Sequence, residues 1–205
     1  MKPTKAFVSA ILAGFAVGLG GGVFLSVESR VAGAFLFTVG LFTVCTMGLH
    51  LFTGKVCYVF DNDRRYALSM PVVWLGNLAG TGVTALLLRQ TRAASLSGRA
   101  LALCEAKCGD SLVSLFFLGV LCNVFIYLGV EGYRSIPHEL GKYLALVFGV
   151  MGFILLGTEH CVADMFYFWM AGAWDARAAA CILVITLGNC VGGVLLPLAK
   201  KYIEE

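Results

Sequence analysis

Apolar residues run almost unbroken through six stretches of the chain, about 6–27, 31–60, 67–89, 111–131, 140–171 and 179–198. Each supplies the roughly 20 residues that an α-helix needs to cross a bilayer. Two of them are too long. The second and fifth each run to thirty residues or more, with polar residues about two thirds of the way along: His50, Thr53, Gly54 and Lys55 in one, Glu159, His160 and Asp164 in the other. Long apolar stretches interrupted at corresponding places in two halves predict broken helices that meet near the midplane. Irregular backbone at that depth has to be surrounded by protein or by a water-filled cavity, so the interruptions are expected to point inward.

The two halves leave a trace in the sequence. "AFVSAILAG" from Ala6 matches "SLVSLFFLG" from Ser111 at an offset of 105, which sets Gly14 opposite Gly119. "WLGNLAG" at 74–80 answers "TLGNCVG" at 186–192 at an offset of 112. One transmembrane domain, 1–205, is therefore expected to hold two three-helix repeats, about 5–90 and 107–200. Three spans per half make the repeats insert in opposite directions. Asn77 and Asn189 then have an architectural task, because an asparagine can hydrogen-bond the groups that a broken neighbouring helix frees. Asn123, in the fourth span, suits either that task or the lining of a path.

Composition fits an all-α integral membrane protein. Hydrophobic residues make up 60% and charged residues 13% of the chain, with a mean hydropathy of +0.89. A soluble domain carries about 25% charged residues. The formal charge of +3 is spread thinly among loops, which argues against a nucleic-acid partner. No cleavable signal is expected, because the first apolar run continues through Gly-rich sequence with no clear small-residue cleavage site before Glu28. Six spans put both termini on one side. With the termini inside, eight lysines and arginines lie inside against six outside, a bias towards cytoplasmic termini in a multi-pass protein of the inner (plasma) membrane. Of eight cysteines, six sit within apolar stretches at no metal-ligand spacing, and Cys104 with Cys108 is a lone pair. Neither a metal nor a cofactor is expected.

A charged side chain at the bilayer centre costs about 2.5–3.5 kcal/mol on insertion scales, so Lys55, Glu159, His160 and Asp164 are expected to face protein or water. Histidine exchanges a proton near neutral pH without a large shift, which singles out His160. A small anion stripped of water in an apolar constriction faces tens of kcal/mol in the idealised limit. Protonating a carboxylate of pKa about 4 at pH 7 costs only ~4 kcal/mol. A path with outer lysines, apolar constrictions and one central histidine would thus attract a small monovalent weak-acid anion and pass it at least partly as the neutral acid. Lys5 and Lys107, at the starts of the first and fourth spans, are placed to raise the anion concentration at the two mouths.

These residues carry a resemblance to the formate/nitrite transporter family. "GTEHCVADMF" is similar to that family's Gly-x-Glu-His-x-x-Ala-Asn-Met-Phe stretch in the fifth span, and "LFTGK" to its Leu-Phe-Thr interruption of the second. Lys5, the spacing of Lys107, Ser111, Gly119 and Asn123, and the two Gly-Asn pairs extend the similarity over nearly all six spans. The resemblance implies an aquaporin-like protomer with broken second and fifth helices, assembled as a homopentamer in the lipid bilayer, that transports and does not catalyse. It implies that Thr53 and His160 form the central polar pair and that Phe37, Leu41, Leu51 and Phe153 form two flanking constrictions. Lys5 and Lys107 match vestibule lysines, and Asn123 a pore-facing asparagine. Gly54, Gly157, Glu159 and Asp164 are assigned to gating or to support of the broken helices. Two departures stand out: Asp164 replaces the usual asparagine, and Leu49-His50 stands where an acidic residue commonly precedes Leu-Phe-Thr. Formate or nitrite is the expected substrate, with hydrosulfide the alternative. A membrane haem protein ligated by His50 and His160, and a neutral-solute channel, are the competing readings.

Overall fold

The computed structural model describes residues 3–204. Among them every regular element is helical: α1 (Pro3–Ser26), α2 (Arg30–Thr46), α3 (Phe52–Val56), α4 (Arg64–Arg89), a 3-10 turn (Arg92–Leu96), α5 (Ser97–Gly109), α6 (Leu112–Ser135), α7 (Glu139–Leu156), α8 (Cys161–Ala171) and α9 (Ala176–Glu204). Six crossings result, formed by α1, by α2 continued through α3, by α4, by α6, by α7 continued through α8, and by α9.

Side chains with short polar ends set several helix starts. Ser29, Asp63 and Ser111 each accept a hydrogen bond from the backbone N–H three residues on, at 3.3, 2.9 and 3.1 Å. Asp175 does the same for Ala178 at the start of α9, at 2.7 Å. Such caps satisfy N–H groups that the helix itself leaves free.

The halves pack alike. α1 lies along α4 and against α2, as α6 lies along α9 and against α7, and α2 meets α7 where the halves join. The matching crossings come so close that a Cβ on Gly80 would collide with the Ile11 carbonyl, and one on Gly192 with the Val120 carbonyl. These contacts relate α4 to α9 by the expected 112 residues. They relate α1 to α6 by 109, since Ile11 corresponds to Val120. The sequence match that paired Gly14 with Gly119 is therefore displaced by one helical turn. Small residues recur at four-residue intervals along α1, at Ala6, Ala10, Gly14, Gly18 and Gly22, so a one-turn slip still sets a small residue opposite Gly119.

The stretch between the third and fourth spans, expected as a connector, folds into the 3-10 turn and α5. α5 packs its buried Ala100 and Cys104 towards α8. α8 is buried from Cys161 to Phe168, its residues apolar or aromatic except Asp164. Arginines assigned to the outer side hold helix C-termini. Arg30, Arg89, Arg99 and Arg177 donate to the carbonyls of Ile154, Trp169, Leu25 and Cys108, each in the last turn of its helix. A cation there meets unpaired carbonyls and the negative end of the helix dipole.

Candidate functional site

Both long spans break where glycine turns the chain. Gly48 has φ 64° after α2 and Gly157 has φ 79° after α7, a left-handed conformation that costs glycine little. Gly54, assigned to the break from sequence, lies inside α3 instead; the glycine that turns the second span is Gly48.

Each break is clamped by one asparagine. Asn77 donates to the carbonyls of Ala10 (2.8 Å) and His50 (3.0 Å) and accepts from Phe52 N–H (2.8 Å). Asn189 donates to those of Gly119 (2.8 Å) and Glu159 (2.9 Å) and accepts from Cys161 N–H (2.9 Å). Leu51 and His160 are thus the equivalent residues at the starts of α3 and α8.

The clamps bring residues of the two halves together. Thr53 Oγ1 lies 2.9 Å from His160 Nε2, and both residues are buried. His160 Nδ1 accepts the Ala163 N–H at 3.1 Å and so caps α8. A neutral ring that accepts at Nδ1 carries its hydrogen on Nε2, which donates to Thr53. Thr53 then keeps its own hydroxyl hydrogen for another acceptor. Asn123 donates to the Thr53 carbonyl at 3.0 Å, and its buried Oδ1 meets no partner among the described residues.

Apolar groups stand beside this pair. The Phe153 ring stacks on His160 with centroids 5.5 Å apart and meets Phe37 edge to face at 6.0 Å. Leu41 and Leu51 line a cavity of about 640 Å³ that also takes in Gly54, Lys55, Tyr58, Glu131 and Arg134. Sequence reasoning missed Arg134, whose guanidinium lies 4.2 Å from the centre of the Tyr58 ring. Glu131 is occupied by the hydroxyls of Tyr58 (2.9 Å) and Ser135 (2.8 Å) and by Lys200 (3.7 Å). No carboxylate among the described residues pairs with Lys55 or Arg134.

His50 and Lys55 line a neighbouring cavity with Tyr66, and Lys5 is exposed in the first turn of α1. Bis-histidine haem ligation has no support here: both His160 nitrogens are engaged within the protein.

Lys107 does not stand free at a mouth. It reaches from the last turn of α5 to two acids, pairing with the Glu159 carboxylate and, at 3.0 Å, with Asp164 Oδ1. The acids had been assigned to broken-helix support. The main chain of Glu159 serves that end through Asn189 and through its N–H to the Leu118 carbonyl (3.3 Å), while its side chain goes to Lys107. A sequence signal for this cluster existed, because two acids inside a membrane protein require a cationic partner.

Comparison with known proteins agrees with this geometry. The family model described as "Formate/nitrite transporter" matches residues 1–203. The nitrite transporter NirC of Salmonella typhimurium is 32% identical over 223 residues, covering 95% of this chain and 81% of the relative. The formate channel FocB of Escherichia coli is 24% identical over 234 residues, covering 93% and 83%. Among solved structures, an FNT family ion channel superposes with a TM-score of 0.87 at 26% identity, covering 100% of this chain and 91% of that one. A pentameric formate channel with formate bound superposes with a TM-score of 0.84 at 24% identity, covering 98% and 97%. The chain is an integral membrane protein and belongs to the formate/nitrite transporter family.

Proposed function

We propose that the chain forms a pH-dependent path for small monovalent weak-acid anions, formate or nitrite, in the inner membrane. The observation that carries this reading is the Thr53–His160 pair, 2.9 Å apart, with the Phe37–Phe153 rings beside it and a cavity floored by Leu41 and Leu51. The proposed order is recruitment by cations, loss of water between apolar side chains, and orientation by the free hydroxyl hydrogen of Thr53. His160 Nε2 holds that hydroxyl with its hydrogen turned outward. A neutral solute would not need Lys55 and Arg134, which line this cavity and make no ion pair with a carboxylate among the described residues.

Assembly as a homopentamer, one path per protomer, is inferred from the solved pentameric formate channel. Exposed apolar side chains such as Phe35, Val113 and Phe148 supply surface for neighbouring protomers or lipid. Cytoplasmic termini are inferred from the loop charges. That orientation makes the cavity with Lys55 the inner mouth and puts Lys107 in the outer half.

Uptake of formate, nitrite and hydrosulfide into proteoliposomes from pH 5 to 8, for the wild type and His160→Ala, tests the proposal. Flux of one anion that rises with acidity, with an altered pH profile in the variant, supports it. Absence of all three fluxes with water permeation intact would reject it, and hydrosulfide flux alone would change the substrate.

A further inference from the structure

The Lys107 cluster does not balance. One ammonium faces two carboxyl groups, on Glu159 and Asp164, whose side chains are 10% and 3% exposed. With both ionised, the cluster would bury a net negative charge that nothing nearby compensates, and an unpaired buried ion is strongly destabilising. The other titratable groups facing Asp164 are Cys104 from α5, Cys122 from α6, and Cys161 and Tyr167 from α8 itself. None is a cation.

The oxygens repeat the charge count. Asp164 Oδ1 is held by Lys107, while Oδ2 is buried and has no donor among the described residues. Both carboxyl groups meet the same Lys107 ammonium. Two carboxylates there could only accept hydrogen bonds and would outnumber the one cation. A carboxyl and a carboxylate beside one ammonium leave no net charge.

We propose that Glu159 and Asp164 share one proton beside Lys107, so that the buried cluster holds one carboxyl, one carboxylate and one ammonium. The proton enters and leaves at the partly exposed edge of the cluster, where the Lys107 side chain keeps 11% exposure.

Infrared spectra of the reconstituted full chain at pH 7.5 test the shared proton without any transport. A protonated-carboxyl C=O band that shifts in heavy water is expected in the wild type and is lost in Asp164→Asn, which keeps an oxygen for Lys107. Glu159→Gln removes the other half of the pair and must abolish the same band. No such band in the wild type, or its persistence in both variants, overturns the proposal.

Discussion

Asn77 and Asn189 occupy the same place in the two halves, each bridging one carbonyl on each side of a cleft and accepting the first N–H of the helix beyond a break. A broken helix deep in a membrane frees backbone groups that lipid cannot satisfy. One carboxamide per half satisfies two of them and ties the break to a carbonyl of the neighbouring α1 or α6. The breaks are thereby rigid, and Thr53 and His160 are held 2.9 Å apart by groups that touch neither side chain.

Replacing Asn189 with alanine leaves the Cys161 N–H and the Glu159 carbonyl at the break without the partner they have here, and removes the tie to the Gly119 carbonyl of α6. Each buried group left unpaired costs about 1–3 kcal/mol. Thermal unfolding in detergent should show a clear drop in midpoint, with Asn77→Ala losing a similar amount. An unchanged midpoint in both would mean that water replaces the carboxamide and that the clamp is not what orders the breaks.

At the centre, Thr53→Ser keeps the hydroxyl and Thr53→Val removes it at nearly constant volume. A hydrogen bond to a charged group contributes about 1.5–3 kcal/mol, which corresponds to roughly 10- to 100-fold in rate if it forms mainly at the barrier. Initial anion uptake in Thr53→Val should fall by about that factor, while Thr53→Ser stays near wild type. Equal flux in all three would show that the backbone around Thr53, and not its hydroxyl, receives the anion.

Spans, breaks and the central histidine were legible in the sequence because each is written locally: an apolar run of bilayer length, polar residues within it, and Gly-Asn pairs repeated at one offset. Chain folding across the halves was not. Lys107 reads as the start of a span, and only the docking of α5 on α8 carries it to Glu159 and Asp164. Gly48 is one glycine among 25, and nothing in its neighbours marks it as the left-handed turn that ends α2. Arg134 escaped notice because its role depends on the Tyr58 ring, 76 positions away.

Lys55 and Arg134 predict a salt-dependent mouth. Their attraction for an anion acts over a Debye length, about 30 Å at 0.01 M salt and about 3 Å at 1 M. Lys55→Gln should lower initial flux from that side several-fold in dilute buffer, and the deficit should close as salt is raised. Uptake measured at both ionic strengths checks this. A deficit that persists at high salt would assign Lys55 a shape or hydrogen-bonding role in place of recruitment.

Phe153 predicts selectivity by size. Its ring stacks on His160 at 5.5 Å and meets Phe37 edge-on at 6.0 Å, so in the proposed path it would both narrow the way and shield the imidazole. Phe153→Ala removes a buried phenyl group, a change that costs a packed core about 3–5 kcal/mol, but less where the side chain borders a path that water can fill. Acetate and lactate, which are wider than formate, should gain flux relative to formate in this variant, and Phe153→Leu should fall between it and the wild type. Competition uptake with labelled formate and unlabelled lactate measures the ratio directly. If the ratio does not move, the narrowest point lies elsewhere, with Leu41 and Leu51 the remaining candidates. If formate flux collapses while lactate stays excluded, the ring's main task is to hold His160 in register with Thr53.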